Sequence, residues 1–211
     1  MQVYDISIPL HAGMAVWPGD EGPVFSRSAT IAGGDGFNVT RLAMGAHTGT
    51  HLDAPLHRFE PAPAIHEIPA ETLVGPALLL DVLDSEAISA GDLLQAGLPE
   101  RVERLLVRTR NTHTGILSAA TVSPGYSHLA ADAAQLLAAR GVRLLGIDGL
   151  SVDPLDSADF PAHEALFRAG IVILEGCLLK APPAGPCVLV CAPMLIVGAD
   201  GAPARSFLLF E

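Results

Sequence analysis

The chain has 211 residues, of which 50% are apolar and only 17% are charged. A chain with this share of apolar residues can bury a large core, so the composition excludes an intrinsically disordered protein. The net charge of −11 argues against a nucleic-acid-binding protein or a protein held at an anionic membrane, since both need a basic surface. We expect one domain over residues 1–211, because single domains typically contain about 100–200 residues.

The amino-terminal third is predicted to consist mainly of strands and loops, with Gly or Pro between the elements. The predicted strands cover residues 3–8, 24–31 and 38–46. Residues 17–20 (WPGD) have the composition of a turn. The apolar run 77–82 is typical of a buried strand.

Helices and strands alternate in the rest of the chain. Ser89 is expected to cap a helix that extends to residue 96, and Ser127 is expected to cap a helix that ends at Gly141. A third helix is predicted over residues 161–170. The predicted strands cover 105–107, 142–147, 171–179, 188–190 and 206–210. The pattern therefore indicates a mixed α/β fold.

No apolar run reaches the roughly 20 residues that span a bilayer, and residues 1–5 do not resemble the start of a signal peptide. The three cysteines match neither a disulfide framework nor a paired zinc motif; they are Cys177, Cys187 and Cys191. We therefore expect buried, reduced thiols in a cytoplasmic protein.

Residues 47–57, HTGTHLDAPLH, contain three of the eight histidines and one carboxylate. Gly49 and Pro55 disfavour a helix, and a helix would not place all the polar side chains on one face. In an extended chain alternate residues share a face, so the polar groups would point the same way. These groups are His47, His51, Asp53 and His57, with Gly49 expected to leave space between the first two imidazoles. The strand is expected to end near Pro55, so the alternation supports His57 least.

Imidazole and carboxylate groups on one face are suitable ligands for zinc, and also for manganese or iron. The alternative is that they are surface side chains or hydrogen-bonded core residues. Glu175 interrupts the apolar run that begins with residues 171–174 and needs a cation or a metal if it is buried. It could also lie at a strand end that faces solvent. His163, at the start of a predicted helix, could be structural or a ligand.

The segment HTGTHLDAPLH resembles the signature of the cyclase-like metal-dependent hydrolases, whose best-known members are the bacterial kynurenine formamidases (arylformamidases). Other segments that match the family occur along nearly the whole chain, in the same order as in the family. They are YDIS at 4–7, WPGD at 17–20, GID at 146–148, SVDP at 151–154, His163 and LEG at 174–176.

The resemblance implies a small mixed β-barrel or sheet flanked by helices, of the swivelling β/β/α type, in a protein that forms dimers or tetramers. It implies that His47, His51 and Asp53 bind one divalent metal and that His163 and Glu175 complete a second site. Asp53 and Glu175 would bridge two Zn²⁺ ions, with Mn²⁺ as an alternative. His57 would be the proton donor and acceptor, and Trp17 would line the substrate pocket.

The implied activity is hydrolysis of a small aromatic amide, N-formyl-L-kynurenine, to L-kynurenine and formate by a metal-activated water. Two alternatives are a relative that hydrolyses another substrate, such as an isatin-type lactam or an ester, and a catalytically silent metal-binding protein. An open metal position beside His57 argues against the silent protein. Residues 112–115 and 149–151 depart from the pattern and leave the substrate open. His113 and His128 are expected to be structural or surface residues.

Overall fold

The computed structural model describes residues 1–211, which form twelve strands and five α-helices. The strands are β1 (Gln2–Asp5), β2 (Val24–Ala29), β3 (Val39–Ala43), β4 (His51–Asp53), β5 (Val74–Val82), β6 (Ala87–Ile88), β7 (Arg104–Thr109), β8 (His128–Leu129), β9 (Leu144–Ile147), β10 (Val172–Glu175), β11 (Gly185–Pro193) and β12 (Gly201–Phe210). The helices are α1 (Ala70–Leu73), α2 (Ala90–Gln95), α3 (Asn111–Thr114), α4 (Ala131–Ala139) and α5 (Pro161–Arg168).

Seven strands form a closed barrel in the order β12-β11-β5-β7-β9-β10-β4, because β4 pairs with both β10 and β12. The neighbours β5, β7, β9 and β10 are parallel, and the other pairs are antiparallel. β1 pairs with β12 outside this ring. This architecture confirms the predicted α/β fold with a mixed barrel and flanking helices.

Two hydrophobic cores follow from the alternation of side chains along the barrel strands. One core includes a residue from every barrel strand, such as Leu52, Leu106 and Leu174, and fills the barrel. The other core packs the outer face of the parallel strands against α2, α4 and α5, with Ile173 and Leu137 among its members. The outward-pointing side chains of the parallel strands therefore pack against the helices.

The strands β2 and β3 form an antiparallel hairpin outside the barrel sheet. Nearly all of its side chains are exposed, including Phe25, Val39 and Leu42. No helix of the structure combines the length and the apolar character that crossing a bilayer requires.

The predicted helix caps had different outcomes. Ser89 caps α2 as predicted: its hydroxyl accepts a hydrogen bond from the amide of Asp92, and the Asp92 carboxylate accepts one from the amide of Ser89. The prediction for Ser127 is wrong, because α4 begins only at Ala131. The Ser127 hydroxyl instead donates to the carbonyl of Ser85, and its amide donates to the Asn111 side chain. These tertiary bonds hold Ser127 in the loop before β8.

The extended conformation predicted for residues 47–57 is correct only for His51–Asp53. His47 lies in a turn over residues 46–50, and His57 lies in a 3₁₀ helix, Pro55–His57. The proposed spacer role of Gly49 is also wrong, because this residue has a φ of 71° and a Cβ there would lie 2.5 Å from Leu10 Cδ2. Strand alternation therefore orients His51 and Asp53, whereas two bends bring His47 and His57 back to them.

Candidate metal centre and active site

The side chains of His51 and Asp53 in β4 lie on the outer face of the barrel, because the residue between them, Leu52, points into the core. In the antiparallel pair of β4 with β10, His51 lies opposite Glu175. His51 Nε2 is 3.2 Å from Asp53 Oδ1 and 3.5 Å from Glu175 Oε2. The strand register thus brings together two residues that are 124 positions apart in the sequence.

The amino-terminal turn of α5 brings His163 to the same carboxylates. His163 Nε2 lies 3.7 Å from Asp53 Oδ2 and 3.6 Å from Glu175 Oε1. The backbone amide of Val152 donates to Glu175 Oε1 over 2.8 Å and so fixes that carboxylate. All four side chains are buried, and the two carboxylates lie between the two imidazoles.

His47 completes this group from the other side of Asp53. His47 Nδ1 lies 2.6 Å from Asp53 Oδ1, and His47 Nε2 lies 3.0 Å from Asp200 Oδ2. A Cβ at Gly201 would lie 2.7 Å from His47 Cε1, so the first residue of β12 must be small to admit the imidazole. The structure therefore brings the five predicted metal-binding residues together in two overlapping groups, His47–His51–Asp53 and Asp53–His163–Glu175.

The charges of the group are mutually dependent. Burial would raise the pKa of Asp53, but the surrounding imidazoles outweigh burial and hold the pKa of this carboxyl well below its usual range. Burial lowers the pKa of His163, but its hydrogen bond to Asp153 and the negative charges of the nearby Asp53 and Glu175 outweigh burial and raise the pKa to about 10. The carboxylates therefore attract positive charge strongly at this position.

Asp53 Oδ2 is buried and has no hydrogen-bond partner in the chain. A buried carboxylate oxygen without a partner is costly, so this atom fits direct contact with a cation. Nitrogen and oxygen donors of this kind suit Zn²⁺, and manganese is also compatible. The residues present therefore fit one or two divalent metal ions.

His57 lies next to this group but is more exposed. Its ring centroid is 4.0 Å from that of His47 and 5.9 Å from that of His163. His57 Nδ1 lies 3.1 Å from Asp200 Oδ2. His57 lines the same cavity as the buried residues and is therefore available to a bound molecule.

The cavity above the candidate metal ligands has a volume of about 360 Å³. Trp17 and Phe160 supply aromatic walls, and the charged side chains of Asp20 and Arg58 also line it. The remaining lining residues are Ala15, Val16, His47, His51, His57, Leu150, Ser151, His163 and Glu175. Trp17, which the sequence analysis predicts to contact the substrate, lines this cavity, whereas His113 and His128 are outside this lining.

The sequence analysis missed two carboxylates that contact the predicted residues. Asp153 Oδ2 lies 2.7 Å from His163 Nδ1, and Asp200 Oδ2 contacts both His47 and His57. Asp153 belongs to the matching segment SVDP at 151–154, and that match is a signal that could have found it. Asp200 gave no such signal, because it lies 143 residues after His57.

Comparison with known proteins agrees with this geometry. The model of the Cyclase family, described as "Putative cyclase", matches residues 4–154. A kynurenine formamidase from Bacillus cereus is 39% identical over 204 residues, which cover 97% of this chain and 95% of that protein.

Two solved structures have the same fold. A potential metal-dependent hydrolase with cyclase activity has a TM-score of 0.84 and 33% identity, with 100% of this chain and 98% of that chain covered. Isatin hydrolase A from Labrenzia aggregata has a TM-score of 0.82 at 23% identity, with 100% and 94% covered. The family model matches most of the chain, and the relatives are similar to it over nearly its whole length. The chain therefore belongs to the cyclase family of metal-dependent hydrolases.

Proposed function

We propose that this protein is a metal-dependent amidohydrolase that converts N-formyl-L-kynurenine to L-kynurenine and formate, a step of tryptophan degradation. The observation that carries the proposal is the buried Asp53 carboxylate, whose Oδ2 has no hydrogen-bond partner and which lies among three imidazoles that line a cavity with aromatic walls. The similarity to kynurenine formamidases over 97% of the chain supports this substrate.

In this proposal His47, His51 and Asp53 would hold one divalent ion, and Asp53, His163 and Glu175 would hold a second. Asp53 and Glu175 would be shared between the two ions, since Asp53 lies within 4 Å of all three imidazoles and Glu175 lies within 4 Å of His51 and His163. Zn²⁺ is the proposed metal, with Mn²⁺ as the alternative. When bound, such ions supply Lewis-acid activation of water and of a carbonyl oxygen.

His57 would move the proton that the hydrolysis requires. Water adds to the formyl carbon, the C–N bond breaks, and the aniline nitrogen must gain a proton as formate is released. His57 lines the cavity beside His47 and can accept the proton of the water and deliver it to that nitrogen. A general acid–base of this kind typically contributes about 10²–10⁴-fold to the rate.

The other cavity residues fit the rest of the proposed substrate. Trp17 and Phe160 suit its aromatic ring, and the α-amino acid part carries one positive and one negative charge. Arg58 and Asp20 can pair with these two charges. Isatin is neutral and would leave both unused, which favours N-formylkynurenine over an isatin-type lactam or an ester, the second candidate class.

The deciding experiment combines metal analysis with turnover. The protein, loaded with Zn²⁺ or Mn²⁺, is assayed for formate release from N-formyl-L-kynurenine and for ring opening of isatin. We expect one or two metal ions per chain and a kcat/KM for N-formylkynurenine at least tenfold above that for isatin. Faster turnover of isatin would support the second candidate, and metal binding without any turnover would support the catalytically silent protein.

We also propose that the protein is a homo-oligomer, a dimer or a tetramer. The hairpin of β2 and β3 and the segment 194–197 expose large apolar side chains, including Phe37, Leu195 and Val197 at 79%, 81% and 81% exposure. Such surfaces typically form protein interfaces. Light scattering should give at least twice the mass of one chain, and a double change of Leu195 and Val197 to Ser should lower it. A monomeric parent protein would contradict the proposal.

We further propose that the protein resides in the cytoplasm. Its three cysteines are free and buried, which suits a reducing compartment. Fractionation of the native cells followed by detection with an antibody tests this assignment, and recovery outside the cytoplasmic fraction would contradict it.

A further inference from the structure

One carboxylate oxygen joins two histidines that the proposed function places in different roles. Asp200 Oδ2 lies 3.0 Å from His47 Nε2 and 3.1 Å from His57 Nδ1. The centroids of the two imidazole rings are 4.0 Å apart, and their planes are tilted by 39° to each other. Asp200 therefore contacts the edge of both rings at once.

The backbone holds Asp200 in this position. The carbonyl of Asp200 accepts a hydrogen bond from the amide of Ala54, directly after β4 and just before the 3₁₀ helix of His57. The next residue, Gly201, pairs with Asp53 in the register of β12 with β4. The carboxylate is thus anchored to the same short segment that carries Asp53 and His57.

The contact with Asp200 determines which nitrogen of His57 can act on a substrate. An ionised carboxylate only accepts hydrogen bonds, so the His57 nitrogen that faces it must carry a proton. In neutral imidazole the other nitrogen is then an unprotonated acceptor. A base in the cavity needs this tautomer, because the proton acceptor must be His57 Nε2.

We propose that Asp200 is a positioning residue for proton transfer: it holds His57 with its proton on Nδ1 and leaves Nε2 free toward the cavity. This inference rests on the proposed function only in giving His57 a proton-transfer role. Asp200 acts through His57 and does not itself contact the substrate. It is a carboxylate partner of an imidazole base, and the pair joins the 3₁₀ helix of His57 to a turn that is distant in sequence.

The first test is Asp200→Asn, which keeps the size of the side chain but can donate from its amide to His57 Nδ1 and so favour the opposite tautomer. We expect kcat on N-formylkynurenine to fall about 10–100-fold, with KM changed less than about threefold and the metal content unchanged. Asp84→Asn, in an exposed turn outside the cavity, is the matched control and should keep wild-type kcat. A loss of metal in Asp200→Asn would overturn the inference, because Asp200 would then act at the metal site.

A double-mutant cycle separates action through His57 from action elsewhere. In a His57→Ala background, Asp200→Asn should cause less than about a twofold further loss of kcat. A second loss as large as in the parent protein would overturn the inference, since Asp200 would then act independently of His57.

A spectroscopic measurement gives a readout that does not need a metal-loaded enzyme. In the metal-free protein with ¹⁵N-labelled histidine, NMR should show His57 protonated on Nδ1, and Asp200→Asn should shift the proton toward Nε2. An unchanged tautomer in Asp200→Asn would overturn the inference. If the wild-type protein fails to hydrolyse N-formylkynurenine, the proposed substrate fails, while this tautomer measurement still tests the Asp200–His57 contact.

Discussion

The Asp153 carboxylate binds both the side chain and the backbone of the helix turn that carries His163. Its Oδ2 lies 2.7 Å from His163 Nδ1, and its two oxygens accept hydrogen bonds from the amides of Ala162 and His163 over 2.8 and 3.0 Å. It therefore caps the start of α5 and directs His163 Nε2 toward Asp53 and Glu175. A carboxylate behind a metal-binding imidazole fixes the ring and its tautomer.

Substitutions of Asp153 test both of its functions. Asp153→Asn keeps only one of the two acceptor oxygens that cap α5, so it should lower the free energy of unfolding of the metal-free protein by about 1 kcal/mol. We expect its metal affinity to fall about 10–100-fold, because the charged partner of His163 is lost. Asp153→Ala removes both acceptors, so it should lose affinity and also about 2 kcal/mol of stability. Competition with a chromophoric chelator and urea unfolding measure the two quantities, and wild-type affinity in Asp153→Asn would contradict the assigned contact.

Glu175→Gln removes one buried negative charge from the proposed metal centre. The amide oxygen can still accept the hydrogen bond from Val152, so the barrel should be retained. We expect lower metal occupancy after dialysis, because a neutral amide is a weaker ligand than a carboxylate. Glu86→Gln, which alters only an exposed ion pair with Arg110, should keep full occupancy. Equal metal stoichiometry in both variants would place Glu175 outside the metal site.

His57→Ala tests the division between metal binding and proton transfer. We expect kcat to fall about 10²–10⁴-fold, because the general acid–base is lost. The metal content should remain close to wild type, since the five proposed ligands are retained. His113→Ala, at an exposed position outside the cavity lining, is the control. Loss of metal in His57→Ala would make His57 a ligand and would reject the assigned role.

Arg58→Gln tests recognition of the amino acid part of the substrate. Arg58 lines the cavity with its guanidinium 3.6 Å from Glu164, and both side chains are partly exposed. We expect KM for N-formylkynurenine to rise about tenfold, because the loss of a hydrogen bond to a charged group costs about 1.5 kcal/mol. Formanilide lacks the charged groups, so its kcat/KM should change less than about twofold. An equal effect on both substrates would show that Arg58 does not bind the carboxylate of N-formylkynurenine.

The cysteines give a pH-dependent prediction that is independent of the metal centre. Burial raises the pKa of Cys187 to about 11 and that of Cys191 to about 12. The thiolate form is therefore disfavoured below these values, and at pH 9 about one Cys187 thiol in a hundred is ionised. A disulfide reagent at pH 9 should react slowly with these thiols in the folded protein and rapidly with all three cysteines in denaturant. Rapid reaction of Cys187 or Cys191 in the folded protein would contradict this burial.

Much of the fold could be predicted from local pattern. The apolar run 77–82 lies within β5, and the run 105–107 lies within β7. The run 142–147 covers β9 and the two residues before it. These strands were predictable because strands buried on both faces are continuously apolar. The Ser89 cap depends on residues three apart and was also predictable. The Ser127 cap failed because its hydroxyl bonds to Ser85, a contact between residues 42 positions apart.

The sequence by itself determined which residue types are available to hold a metal, because imidazoles and a carboxylate are concentrated in residues 47–57 and the segment resembles a family signature. Only the tertiary structure decided how they meet. Barrel closure sets His51 opposite Glu175, α5 delivers His163, and the turn before β12 brings Asp200 to His57. The physical reason is that strand pairing and helix packing fix distances between residues more than one hundred positions apart, which no local period along the chain encodes.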